Sequence, residues 1–229
     1  MAVAAIFDLD GTLFSGRLWR GIVLHHRTRH VNRHWLYLFL GIHIPMWFLH
    51  QRGLFTEQKA RSVWAQNMGW MMRGLSEAEL RDVSQWVIDE WLAARTRTDV
   101  LRVLRGHQAD GHTIVLLSGT FEPLAVAIAE WLGADAALGM RLEMRAGRCT
   151  GRTLPPLPQG KGKLERLRLY LDETGKDLDL SAAYAYADSH ADLPLLEAVG
   201  HPVAVYPDLI LAQRAAERAW PVIGAVVHE

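Results

Sequence analysis

The sequence predicts an α/β fold, a doubly wound parallel sheet with a helical insertion after its first strand. Three observations predict it. An apolar run, Ala4 to Phe7, leads into the loop phrase Asp8-Leu9-Asp10-Gly11-Thr12. From Thr113 onward, short apolar runs alternate with helical segments, which implies a parallel sheet with right-handed crossovers. Between them, residues 15–110 read as helical. The expected division is a Rossmann-like core of residues 1–14 and 111–229, and an insertion of residues 15–110.

The first strand is apolar throughout, as suits a strand covered on both faces. In the insertion, Leu80, Val83, Val87, Trp91 and Ala94 recur on one helix face. Ser76 is the expected N-cap of that helix, with Glu79 at the capping-box position. Residues 35–49 carry no formal charge and are apolar all round. As one helix those 15 residues would span about 22 Å, short of a bilayer core, and Pro45 is expected to interrupt them. The two readings are a buried helix or helical hairpin and a segment at a membrane interface.

Thr113–Ser118 reads as the second strand, followed by a helix at about Pro123 to Trp131. Residues 138–153 suggest a hairpin turning at Ala146-Gly147, and Leu154–Gly160 a loop. A helix is expected over Lys161–Asp172, a strand over Ala183–Ala187, a strand over Pro202–Tyr206 and a helix over Leu209–Ala219.

The chain has 229 residues, half of them hydrophobic, with nine Trp, so a large core is available. The single cysteine, Cys149, excludes an internal disulfide framework and fits a reducing compartment. The N-terminus enters a strand at once and reads as lacking a signal peptide, so the expected location is the cytoplasm. The formal net charge is zero but unevenly spread. Between Asp10 and Glu57 there are six arginines (17, 20, 27, 29, 33 and 52), no lysine and no acid. That asymmetry points to an anionic partner, with peripheral contact at the inner face of a membrane as one form of it. Nucleic acid is not an expected partner. Six histidines share the interval, without the spacing of a zinc motif.

In an open parallel sheet, ligands bind beyond the carboxyl ends of the strands. Asp8 and Asp10 end the first strand, Ser118 the second and Asp188 the third, with Asp192 one helical turn on. Two acids one residue apart repel unless a cation or proton sits between them. Mg²⁺ suits such hard oxygen donors, with Mn²⁺ not distinguished from it. One carboxylate is then placed to attack phosphorus. The Ser118 hydroxyl suits a phosphate oxygen, and a lysine of Gly160-Lys161-Gly162-Lys163 suits the charge that moves in the transition state.

Taken in order, Asp8-Leu-Asp-Gly-Thr, Ser118-Gly-Thr, Lys161 and Asp188-Ser-His-Ala-Asp192 resemble the four motifs of the haloacid dehalogenase (HAD) superfamily, mostly phosphatases and phosphotransferases. The segments Gly133–Gly151 and Ala187–Pro207 are similar to the subgroup that includes phosphoserine phosphatase. The resemblance implies that residues 15–110 form that family's helical cap. It implies Asp8 as nucleophile and Asp10 as general acid and then base. Mg²⁺ would be held by Asp8, the Asp10 carbonyl and Asp188, supported by Asp192. Phosphate would be held by Thr12, Ser118, Gly119 and Lys161, with Lys163 as the substitute for Lys161. The implied activity is a Mg²⁺-dependent phosphate monoester hydrolysis through an aspartyl-phosphate.

One position departs from the subgroup. Phosphoserine phosphatases carry a glutamate nine residues after the nucleophile, paired with the substrate ammonium; here that position is Arg17. A cation repels an ammonium and attracts an acid, so phosphoserine is not expected as substrate. Lys59, Arg61 and Arg73 are the candidates for the family's cap arginine. The alternatives are a phosphotransferase, a lipid-phosphate phosphatase working at a membrane surface, and a non-catalytic membrane-docking protein.

Overall fold

The computed structural model describes residues 3–52, 56 and 63–227, with the backbone alone at 47 and 51. Seven strands form one sheet in the order β4-β3-β2-β1-β5-β6-β7. They are β1 (Ala4–Phe7), β2 (Thr113–Phe121), β3 (Ala136–Arg145), β4 (Arg148–Leu154), β5 (Tyr184–Ala187), β6 (His201–Val205) and β7 (Val222–Ile223). All pairings are parallel except β3 with β4. Strand order reverses at β1, which has β2 on one side and β5 on the other, so the crevice of a doubly wound sheet opens at its carboxyl end.

The alternation along each strand divides the core. Ala5, Phe7, Ile114 and Leu116 enter one apolar cluster; Ala4, Ile6, Val115 and Leu117 enter the other, on the opposite face. The hairpin turn is at Ala146-Gly147 as expected: both have positive φ, 47° and 73°, which a two-residue turn of this hand requires. The structure adds what the sequence did not show, β7 and the parallel pairing of the start of β3 with β2. Both depend on distant partners.

Between β1 and β2 lie α1 (Leu18–Thr28), α2 (Arg33–Gln51), a 3-10 turn (Met68–Met72), α3 (Glu77–Val87) and α4 (Thr98–Ala109). The Ser76–Glu79 capping box is present. The helix expected to reach Ala94 is α-helical only to Val87 and continues as a π-turn over Ile88–Leu92. Pro45 does not interrupt the apolar run; it lies inside α2, which is 19 residues long.

The insertion leaves and rejoins the sheet through a short two-stranded neck. Ser15 N–H donates to the Arg95 carbonyl at 2.8 Å, and Arg97 N–H to the Leu13 carbonyl at 2.9 Å. Beyond the neck, α4 lies against the sheet: Val100 and Leu104 join Phe7 and Leu116, and the His107 ring sits 2.7 Å from the Tyr186 hydroxyl. The 3-10 turn packs so closely on β4 that a Cβ at Gly69 would stand 2.6 Å from the Gly151 carbonyl oxygen.

After β2 come α5 (Glu122–Leu132), α6 (Lys161–Thr174), the single turn α7 (Leu193–Leu196) and α8 (Leu209–Arg218). Leu167 of α6 and Leu211 of α8 cover the face opposite α5.

Candidate active site

Asp8 stands immediately past β1, its N–H donating to the Tyr186 carbonyl at 3.0 Å. Its carboxylate is buried and receives the Lys163 ammonium at 2.7 Å. The same Nζ donates to Asp192 at 2.6 Å. The Thr12 hydroxyl lies 3.4 Å from the other Asp8 oxygen. Asp188 closes the group: Asp8, Asp188 and Asp192 each offer an oxygen within 4.8 Å of the others. Gly11 makes this approach feasible, because its φ is 83° and a Cβ there would fall 1.9 Å from Asp188 Oδ2.

Asp192 thus lies in the same oxygen cluster as Asp8 and Asp188. The lysine differs from the first expectation. Lys161 is exposed, whereas Lys163 is buried between two carboxylates. Both begin α6, and at about 100° per residue two positions apart point to opposite sides of a helix. Gly162 settles which side faces in: a Cβ there would lie 1.9 Å from the Leu157 carbonyl oxygen, so this turn is pressed against the preceding loop.

Asp10 turns away from the cluster, and one of its carboxylate oxygens accepts the Leu18 N–H at the start of α1. Burial, and then the Asp8 charge, pushes its carboxyl up to about 7. Burial, then Asp8 and Asp192, pushes Asp188 up to about 8. Burial likewise raises Asp192 to about 6, opposed by Lys163. Burial works against the Lys163 ammonium, but Asp192 and Asp8 outweigh it and hold its pKa above the ordinary lysine value. Three carboxylates that each offer a hard oxygen donor within 4.8 Å of the others fit a small divalent cation such as Mg²⁺.

Ser118 is fully buried in β2, and its Oγ accepts the Thr120 N–H at 3.2 Å. The Thr120 hydroxyl is buried without a hydrogen-bond partner. Gly119 faces Gln159, to whose side chain a Cβ would come within 3.3 Å. Arg17 lines an open cleft of about 430 Å³ with Gly11, Arg97, Asp188, His190 and Tyr206. Its charge opposes the rise at Asp10, Asp188 and Asp192.

Arg97 and Tyr206 had no sequence signal, and His190 was visible only as an unassigned member of the Asp188–Asp192 motif. They come from the insertion's neck, the residue after β6 and the loop after β5, and only the fold gathers them. The Arg97 guanidinium stacks over the Tyr206 ring at 3.5 Å, while its Nε is buried without a partner. The His190 ring is 2.9 Å from Asp208. Arg73 stacks over Trp35 at 4.3 Å; Lys59 and Arg61 lie outside the described residues. Two of the insertion's buried histidines meet backbone carbonyls: His26 lies 2.9 Å from the Met71 carbonyl and His43 2.8 Å from the Phe39 carbonyl.

A Mycobacterium tuberculosis protein named as a phosphoserine phosphatase is 30% identical over 231 residues, covering 97% of this chain and 70% of its own. A Neisseria meningitidis histidinol-phosphatase is 32% identical over 65% of this chain and 68% of its own. A solved structure from Bordetella pertussis, described as of unknown function, superposes with a TM-score of 0.76 at 27% identity, covering 98% of this chain and 99% of that one. The match to the haloacid dehalogenase-like hydrolase family runs over residues 5–197, from β1 through the Asp188–Asp192 loop, and the chain belongs to that family.

Proposed function

We propose that this phosphoric monoester hydrolase transfers the phosphoryl group of its substrate first to Asp8 and then to water. The observation that carries the proposal is the buried Asp8 carboxylate, with one oxygen fixed by Lys163 and the Asp188 and Asp192 carboxylates beside it. Lys163 orients Asp8 and offsets its charge, so that the other oxygen can meet phosphorus. The P–O bond to the alcohol breaks as the bond to Asp8 forms. Asp10, with its carboxyl near 7, carries the proton that the leaving alkoxide needs. Water then attacks the phosphorus of the aspartyl-phosphate and gives its proton back to Asp10. The products are inorganic phosphate and the Asp8 carboxylate. A Mg²⁺ held by Asp8, Asp188 and the Asp10 carbonyl, with Asp192 alongside, would add positive charge against the phosphate oxygens. Thr12, Ser118 and the Gly119 backbone are the proposed phosphate donors.

The helices between the neck at 13–15 and its return at 95–97 are the proposed cap, which leaves α4 with the core. The proposed substrate is a small monoester with a second anionic group. Arg17 and Arg97 both line the cleft that opens at Gly11 and Asp188, and Arg17 stands nine residues after Asp8, where the resemblance puts a glutamate in phosphoserine phosphatases. The test is a screen of amino-acid, sugar, nucleotide and lipid phosphates, with and without Mg²⁺. The expected result is Mg²⁺-dependent hydrolysis that favours esters with an added acid. Phosphoserine is expected to be poor, and Arg17→Glu to leave it no worse. A preference for phosphoserine over every acidic ester would overturn the substrate assignment. Full activity of Asp8→Asn would overturn the mechanism.

A further inference from the structure

The helix α2 presents two unlike faces. Leu36, Phe39 and His43 point into the core and are buried. On the other side stand Tyr37, Leu38, Ile42, Ile44, Phe48 and Leu49, each between 39% and 58% exposed. At 3.6 residues per turn those six fall within about half of the helix circumference. From residue 35 to residue 51 there is no Asp, Glu, Lys or Arg. A helix on the surface of a globular protein normally turns its charged side chains outward, and a continuous outward apolar face marks a contact surface.

Basic side chains flank this helix. Arg27 and Arg29 are exposed at the end of α1, His30 in the turn that follows, His34 in the first turn of α2, and Arg52 just after α2. A second copy using the same face would bring these basic ends together. A nucleic acid would meet an uncharged centre. An anionic bilayer surface satisfies both parts, taking apolar side chains at the acyl boundary and arginines among the headgroup phosphates. Among the described residues no helix is long and apolar enough to cross a membrane, so the contact is one of lying on the surface. We infer that α2 is an interfacial helix that docks the protein on an anionic lipid surface through Tyr37, Ile42 and Phe48, with the flanking arginines on the headgroups.

The experiment is co-sedimentation of the full chain with vesicles of phosphatidylcholine alone and of phosphatidylcholine with phosphatidylglycerol, at low and high salt. Pelleting is expected with the anionic vesicles at low salt, falling at least about tenfold at high salt as headgroup attraction is screened. Ile42→Gln with Phe48→Gln is expected to reduce it at least about tenfold through lost insertion. Arg27→Gln with Arg29→Gln is expected to reduce binding to the anionic vesicles only. Both pairs should keep wild-type hydrolysis of an aryl phosphate and wild-type Tm, since all four side chains are exposed. Failure to pellet with anionic vesicles at low salt would overturn the inference, as would equal pelleting of the Ile42→Gln/Phe48→Gln protein. So would a lipid-free dimer that this double variant dissociates, because a second copy would then cover the face.

Discussion

At the carboxyl end of β1, carboxylates and a lysine lie buried among strand ends; on α2, large apolar side chains stand in water. The two regions depart from ordinary burial in opposite directions, for different physical reasons. The cluster tolerates buried charge because Lys163 bonds two acids at once and the remaining carboxyls are pushed toward their neutral forms. That cost is held in place by a rigid sheet, where the phosphoryl chemistry can use it. The face of α2 forgoes burial, on the order of 1 kcal/mol per half-exposed side chain. The first region looks inward to a small ligand and the second outward to a surface.

Substitutions should separate the regions sharply. The largest effect is expected at Asp8: Asp8→Asn should lower kcat by more than about a thousandfold, as for other nucleophile deletions. Asp10→Asn should cost about 10²–10⁴-fold, the usual worth of a proton carrier. Circular dichroism should show both proteins folded, and steady-state kinetics measures the loss.

The next effect tests the choice of lysine. Lys163→Met leaves Asp8 and Asp192 buried without their cation, which should destabilise the metal-free protein by about 3–5 kcal/mol and remove activity. Lys161→Met, at an exposed position, should change stability by less than about 0.5 kcal/mol. Urea unfolding of the two variants decides it; equal effects would return the role to Lys161.

Within α2 the contrast is between Phe39 and Phe48. Phe39→Ala should cost about 3–5 kcal/mol, because the ring is fully buried against Trp64 and His43. Phe48→Ala should stay within about 0.5 kcal/mol in lipid-free solution. A comparable loss at Phe48 would mean that its face is packed after all.

The smallest effect expected is in the pH dependence of thermal stability. The Asp188 carboxyl is raised to about 8 in the metal-free fold, from 3.8 when unperturbed. The folded state then binds more protons than the unfolded one between these values. The stability linked to Asp188 is full below about 3.8 and is lost as pH rises through about 8. A bound divalent cation replaces that proton. The gain in Tm on adding Mg²⁺ should therefore be larger at pH 8 than at pH 6, by a few degrees, the scale of about 1 kcal/mol in a chain of this size. A gain that shrinks with rising pH would contradict the placement of the metal at Asp188.

The sequence by itself determined the elements whose signal is local. The buried run before Asp8, the capping box at Ser76 and Glu79, the turn at Ala146-Gly147 and the alternation of strand and helix were legible because neighbours in the chain create them. The acids at strand ends were legible because a parallel sheet sends its strand ends to one edge. Tertiary structure alone placed Lys163 rather than Lys161 beside Asp8, since the two partners lie 155 residues apart and the helix is oriented by Gly162 packing on Leu157. It also brought Arg97 and Tyr206 into one cleft from positions with no motif. It decided, too, which half of α2 is buried. An all-round apolar helix has no polar face to mark the outside, so periodicity is silent there and only packing against Trp64 and Met71 selects the Phe39 side.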